Sequence, residues 1–191
     1  MKEKNTRVRL IEAGIETLLS KGFNGTAVQD IADAAGILKG SFYNHFKSKE
    51  LFALEALDKF WEIRLEQTSS LKNTANDPVA RLKTYFQSLS EIASIDNFSK
   101  GCLIGNFSIE LSETKSIHSR LKKIYGTWIE QVESCIHEAV KANRCQINLP
   151  PSEIASFLIN SWEGSAMRAK IEKNKSPFDH FERIVFSVFF T

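Results

Sequence analysis

Proline and glycine are scarce in this chain, at 4 and 9 of 191 residues. That scarcity excludes a turn-rich β-sandwich or a low-complexity tract and points to a mostly helical protein. No stretch approaches the roughly 20 consecutive apolar residues of a membrane span. The phenylalanine-rich end FERIVFSVFFT is too short for one. The start, MKEKNTRVRLIEAG, is interrupted by Glu3 and Glu12 and has no apolar run of signal-peptide length. Three cysteines, odd in number and irregularly spaced, argue against a disulfide framework. A cytoplasmic protein is expected. Gly-rich phosphate loops, Ser-His-Asp arrangements and metal-ligand spacings are also missing. No enzyme, cofactor or metal is therefore expected.

An excess of charge of one sign is nearly absent as well, 25 Lys/Arg standing against 23 Asp/Glu for a net of +2. Residues 1–50 hold eight Lys/Arg against six acids, while the remainder balances 17 against 17. The whole excess lies in the first quarter. A basic end on a neutral body suits a DNA-reading head.

That first quarter contains TAVQDIADAAGILKGSFYNHFKSK, from Thr26 to Lys49. Thr26 and Gln29 have capping-box spacing, so a helix is expected just after Thr26. Val28, Ile31, Ala32 and Ala35 share one face, and Gly36 ends the helix. A second short helix is expected from about Lys39 to Phe46, burying Phe42 and Phe46. Two such short helices joined by a tight turn read as a helix-turn-helix. The outer face of the second carries Lys39, Ser41, Tyr43, Asn44 and His45, groups suited to base edges and phosphates. Gly40 costs about 1 kcal/mol inside a helix, which makes sense if the backbone must come close to something. A merely solvated amphipathic pair is the plain alternative.

The run AAGILKGSFYNHFKSKELF resembles the helix-turn-helix of TetR-type repressors in spacing, residue class and N-terminal position. It departs in one place: Leu38 stands where many relatives have a Ser or Thr cap, at a cost of about 1 kcal/mol. The resemblance implies that Lys39, Gly40, Ser41 and Asn44 meet base edges, while Thr26, Tyr43, His45 and Lys49 fix register through phosphates. It implies a homodimer on a palindromic double-stranded DNA operator, with half-sites about one turn (~34–36 Å) or more apart.

The expected architecture is all-α, with about nine helices. Residues 1–50 form a three-helix head and residues 51–191 a helical effector-binding and dimerisation domain. Helix 1 should run from Thr6 to Lys21 with Val8, Ile11, Ile15, Leu18 and Leu19 inside, and Phe23 should plug the head's core. Ser48 should cap helix 4, which continues to about Ser70. Pro78 should open helix 5, ending near Ile95. A short helix CLIGNFSIELS follows, then helices over about Ser116–Ala142, Ser152–Asn174 and Ser176 to the end, the last beginning with a Ser-Pro cap. On helices 8 and 9, Phe157, Trp162, Ser165, Phe178, Phe181, Val185 and Val188 cover more surface than a terminal helix needs, so a partner copy is expected there. TetR-like repressors pair through their last two helices.

An effector pocket is expected among Trp61, Tyr85, Phe86, Cys102, Asn106, Phe107, Trp128 and Trp162, for an apolar or aromatic compound held by one or two polar groups. Core packing is the plain alternative for each aromatic. The run KGCLIGNFSIELS also resembles a TetR subgroup that includes repressors answering to reactive electrophiles. Cys102 follows Gly101 at a helix start, where unsatisfied N–H groups favour a thiolate. A cysteine packed in helix 6 is the alternative, and Cys135 on the apolar stripe of helix 7 is expected to be inert. The expected function is a ligand-responsive transcriptional repressor. An activator or constitutive DNA-binding regulator stays open at this point, as does an all-α carrier or enzyme with an incidental helix-turn-helix.

Overall fold

A computed structural model describes residues 5–95, 97–146 and 148–190. Among these lie nine α-helices: α1 Thr6–Lys21, α2 Val28–Ala34, α3 Lys39–Tyr43, α4 Lys49–Gln67, α5 Pro78–Ser94, α6 Leu103–Glu110, α7 Lys115–Lys141, α8 Pro151–Glu172 and α9 Ser176–Val188. A 3-10 turn, Thr68–Lys72, follows α4. The chain forms two compact units. One takes in the chain up to Ile63 together with Leu103–Lys122; the other takes Arg64–Cys102 and the chain from Lys123 onward. The first unit thus reaches beyond residues 1–50, into α4 and α6.

In the first unit, Asn5 caps α1 by accepting the Arg7 N–H at 3.0 Å. Leu10, Ile11, Ile15, Leu18 and Leu19 are buried. Val8, expected inside, is exposed because it stands at the margin of that stripe in the first turn. A Cβ on Gly14 would come within 2.1 Å of the Phe52 ring, so α1 and α4 cross at a point only glycine permits. The rings of Phe42, Phe46 and Phe52 lie 5.0–5.4 Å apart around this crossing. Phe23 is buried and meets Phe107 of α6 edge-on at 6.2 Å.

Three local expectations need correction. The α2 cap is Ala27, whose N–H is accepted by Asp30 at 2.7 Å. Thr26 instead donates its hydroxyl to the Gly22 carbonyl at 2.6 Å, and Gln29 donates to Asp33. The second helix ends at Tyr43, with the His45 and Phe46 N–H groups both on the Phe42 carbonyl. Helix α4 stops at Gln67 because the Thr68 and Ser70 hydroxyls donate to carbonyls three residues back, tightening the chain into the 3-10 turn. Other caps stand as expected. Leu38 leaves α3 without a side-chain cap, Gly22 ends α1 at φ +73°, and Ser48 accepts the Leu51 N–H at 3.2 Å.

In the second unit, Asp77 accepts the N–H groups of Val79 and Ala80, both at 3.0 Å, and Pro78 opens α5. Helices α5, α8 and α9 pack together around Leu82, Phe86, Leu89, Leu158, Trp162, Phe178 and Phe181. Ser176 is the first residue of α9 rather than its cap; its own N–H is held by Asn174 at 2.9 Å. No described helix is long and apolar enough to cross a membrane. No described cluster of His, Cys, Asp and Glu can hold a metal.

Candidate DNA-binding face and effector cluster

Burial of Phe42 and Phe46 turns the opposite face of α3 outward. Lys39, Gly40 and Asn44 are exposed, Tyr43 is 53% exposed, and Ser41 and His45 are half-buried. Nothing lies within 4 Å of a Cβ built on Gly40. No internal packing therefore requires a glycine there, and the backbone is open to a close approach from outside. Gly36, at φ +65°, makes the turn between α2 and α3, and Arg9 pins that turn by donating to the Ala35 carbonyl at 2.5 Å.

Two residues expected on this surface are turned inward. Thr26 is 2% exposed and its hydroxyl is committed to Gly22. Lys49 places its ammonium 2.9 Å from both the Phe23 and Thr26 carbonyls and 4.0 Å from the centre of the Phe23 ring. The Phe23 carbonyl also accepts the Thr26 N–H at 3.2 Å, and the ammonium ties it to the Thr26 carbonyl across the loop. Other head cations are engaged too: Arg7 with Glu55 and Lys21 with Asp30. The Lys21 contact, with the Ala27 N–H, holds the Asp30 carboxyl below its ordinary range. Lys39 and Lys47 are exposed and carry no such contact.

The loop between α1 and α2 has a second support that sequence reasoning missed. Glu110, the last residue of α6, accepts the backbone N–H groups of Phe23 at 3.1 Å and Asn24 at 2.7 Å. A side chain on Gly22 would collide with this carboxylate at 2.4 Å. Nothing local announces the contact, since 86 residues separate Glu110 from Asn24.

The expected pocket residues divide between the units. Trp61, Asn106 and Phe107 belong to the first, and Phe107 is fully buried against Phe23, a core residue. In the second, Phe86 lies between Tyr85 and Phe181, and Trp162 stacks on Phe178 while donating its indole N–H to Ser90 at 3.2 Å. Both are core.

Tyr85, Cys102 and Trp128 do converge, on two charged residues not anticipated: Arg64 of α4 and Glu163 of α8. Burial lowers the Arg64 pKa and strongly raises that of the Tyr85 hydroxyl, against the opposing influence of the Trp128 indole and the Arg64 charge. Glu163 is 9% exposed. Its burial pushes the carboxyl up to about 6, against the opposing pull of a hydrogen bond from the Cys102 thiol and the charge of Arg64. Its Oε1 has no hydrogen-bond partner among the described residues. The signal was present in the sequence: Glu163 interrupts an apolar face made by Ile159, Trp162 and Ala166, and Arg64 follows Leu57 and Phe60 at helical spacing. Cys135, by contrast, is buried against the Pro78 carbonyl at 3.3 Å, and burial pushes its thiol up to about 11.

Four residues expected at a partner interface are core instead. Trp162, Phe178, Phe181 and Val185 face their own unit because α9 lays its most apolar stripe on α5 and α8. Phe157, half-exposed at 51% and stacked on Phe189, remains at the surface with Val188; Ser165 is partly exposed. Ile171 and Ile184, not singled out before, are exposed as well.

Two family models match this chain. Residues 10–56 match that of the bacterial regulatory proteins of the tetR family, and residues 78–185 match the tetracyclin repressor-like C-terminal domain. The HTH-type transcriptional repressor DhaR of Mycobacterium sp. (strain GP1) is 41% identical over 182 residues, covering 94% of this chain and 90% of the relative. The HTH-type transcriptional repressor NemR of Escherichia coli (strain K12) is 26% identical, covering 93% and 90%. A crystal structure of a regulatory protein TetR from Rhodobacter sphaeroides superimposes with a TM-score of 0.91 at 27% identity, over 96% of this chain and 98% of that one.

Proposed function

Because the chain belongs to the tetR family of DNA-binding transcriptional repressors, we propose that it is a ligand-responsive repressor acting in the cytoplasm, released from a palindromic operator by a small apolar or electrophilic effector. The observation that carries the DNA-binding part is the open face of α3, where Gly40 has nothing within 4 Å and Lys39, Tyr43 and Asn44 point away from the core. On this reading Lys39, Gly40, Ser41 and Asn44 read base edges, and Tyr43, His45 and Lys47 meet phosphates. Lys49 supports the head from within.

Two heads on one dimer bind two half-sites, and the exposed apolar residues of α8 and α9 supply the pairing surface. The effector acts at the cluster of Arg64, Tyr85, Cys102, Trp128 and Glu163. Helix α6 starts one residue after Cys102 and ends on Glu110, whose carboxylate holds the α1–α2 loop. Modification of Cys102 makes the thiol larger. The start of α6 then shifts, and Glu110 loosens its hold on the head. Such an effector moves the equilibrium only by its differential affinity for the two states.

The test is operator binding by purified protein before and after treatment with a quinone. Wild type should release DNA, while Cys102→Ser should keep it. Equal responses from both would make Cys102 a packing residue and the effector an ordinary reversible ligand.

A further inference from the structure

We propose that Leu38 is a base-reading residue, whose side chain packs on the C5-methyl group of a thymine in the major groove of each half-site. This rests on the reading of α3 as the recognition helix and adds an apolar contact to the polar ones assigned there.

Among the described residues, Leu38 and Ile171 are the most exposed large apolar side chains, both at 82%. Ile171 lies in α8, on the proposed pairing surface. Leu38 belongs to the first unit and stands immediately before Lys39 and α3. It occupies the cap position of that helix yet supplies no side-chain cap, where a Ser or Thr would bond the first turn. Leucine here therefore costs the free head both a hydrogen bond and the hydration of an apolar surface. Such a residue gains only when something else covers it.

Its backbone, by contrast, is held. The Leu38 carbonyl accepts the Ser41 N–H at 2.9 Å, and the Ile37 N–H donates to the Ala32 carbonyl at 3.0 Å. Arg9 fixes the Ala35 carbonyl at 2.5 Å. The leucine thus projects from a fixed point, and little backbone ordering is needed when a partner meets it. Gly40, two residues on, has no side chain to keep the helix start away from that partner.

In a helix-turn-helix, the N-terminal residues of the recognition helix reach base edges in the major groove. Those edges present hydrogen-bonding groups with one apolar exception, the C5-methyl of thymine. A leucine has no donor or acceptor for the others. At the head of α3 it complements thymine and leaves the polar edge of any other base without a partner. The preference therefore has an attractive and a repulsive part.

The experiment selects an operator from random-sequence duplex DNA with the full chain. Its thymines are then replaced by deoxyuridine, one symmetry-related pair at a time. Deoxyuridine pairs with adenine as thymine does and lacks only the C5-methyl. Kd is read by fluorescence anisotropy. For wild type, one pair of replacements should raise Kd by about fourfold per half-site, the effect of leaving one methyl-sized group uncovered. Leu38→Ala should bind the thymine and deoxyuridine duplexes equally at that position and keep the wild-type response at all others. Leu38→Ser should lose the same discrimination while melting no lower than wild type, because its hydroxyl can cap α3. An operator at which every replacement is silent, or felt equally by wild type and Leu38→Ala, overturns the proposal. A Leu38→Ser variant that melts well below wild type does so too, since Leu38 would then serve the fold. A selection that enriches no sequence overturns instead the reading of α3 itself, and this proposal with it.

Discussion

Glu110 and Asn24 are joined by a hydrogen bond of 2.7 Å, from the backbone N–H of Asn24 to the carboxylate of Glu110. With the companion bond from Phe23, it ties the last residue of α6 to the loop that orients α2. Glu110→Ala should weaken the first unit by roughly 1.5–3 kcal/mol, the range for hydrogen bonds to a charged group. Amide exchange should quicken at Phe23 and Asn24 in particular. Uniform exchange across all nine helices would assign the loss to the whole fold instead.

On the recognition face, Lys39→Ala and Asn44→Ala should each cost about 1–3 kcal/mol of specific binding and relax base choice. Lys47→Ala should weaken all sequences alike and reduce the salt slope by about 1. Lys49→Ala should behave differently. Its ammonium satisfies two carbonyls of the head, so the melting temperature should fall before any change in base preference appears. Binding of each variant to a set of operator sequences at several salt concentrations separates these outcomes.

Assembly can be broken at the surface without touching the core. Ile184→Glu combined with Val188→Glu should give folded monomers whose operator affinity is lower by about a hundredfold or more, because two half-sites are no longer bound as one. Phe181→Asp should instead unfold the second unit, since that ring lies buried against Phe86. Sedimentation and circular dichroism distinguish the two. An unchanged dimer after the double substitution would move the interface elsewhere.

Glu163 also leaves a mark on stability. Its carboxyl titrates near 6 in the folded chain against an ordinary 4.5. Between those values the folded state holds a proton that the unfolded chain has released. Stability therefore falls as pH rises through this window, and above it the buried charge costs about 2 kcal/mol. Melting wild type and Glu163→Gln across the window should show wild type losing stability relative to the variant as pH rises. A constant difference would mean that the carboxyl is not shifted.

The helix-turn-helix was legible because its determinants are local: the period of Ile31 and Ala32, the glycine at 36, the paired rings of Phe42 and Phe46. Most helix limits followed from local signals such as the Ser48 cap and the proline at 78. Other features depend on partners remote in sequence. Lys49 turns inward only because a folded loop presents two carbonyls, and Glu110 looks like any polar helix end. The faces of α8 and α9 could not be apportioned from periodicity, since both were apolar over a wide arc. Phe178, Phe181 and Val185 took the inner side. Arg64 and Glu163 broke apolar faces in plain view and were overlooked because a charge on a helix usually faces water.

Arg9 and Lys49 are committed to carbonyls within the head, whereas Arg7 and Lys21 stay about half exposed in ion pairs with Glu55 and Asp30, beside the open Lys39 and Lys47. Random genomic sequence holds a protein mainly through such charges. Surface ion pairs of this kind compete with phosphate for the same cations, so on the proposed reading the grip on random sequence is set by Glu55 and Asp30 as much as by the basic residues themselves.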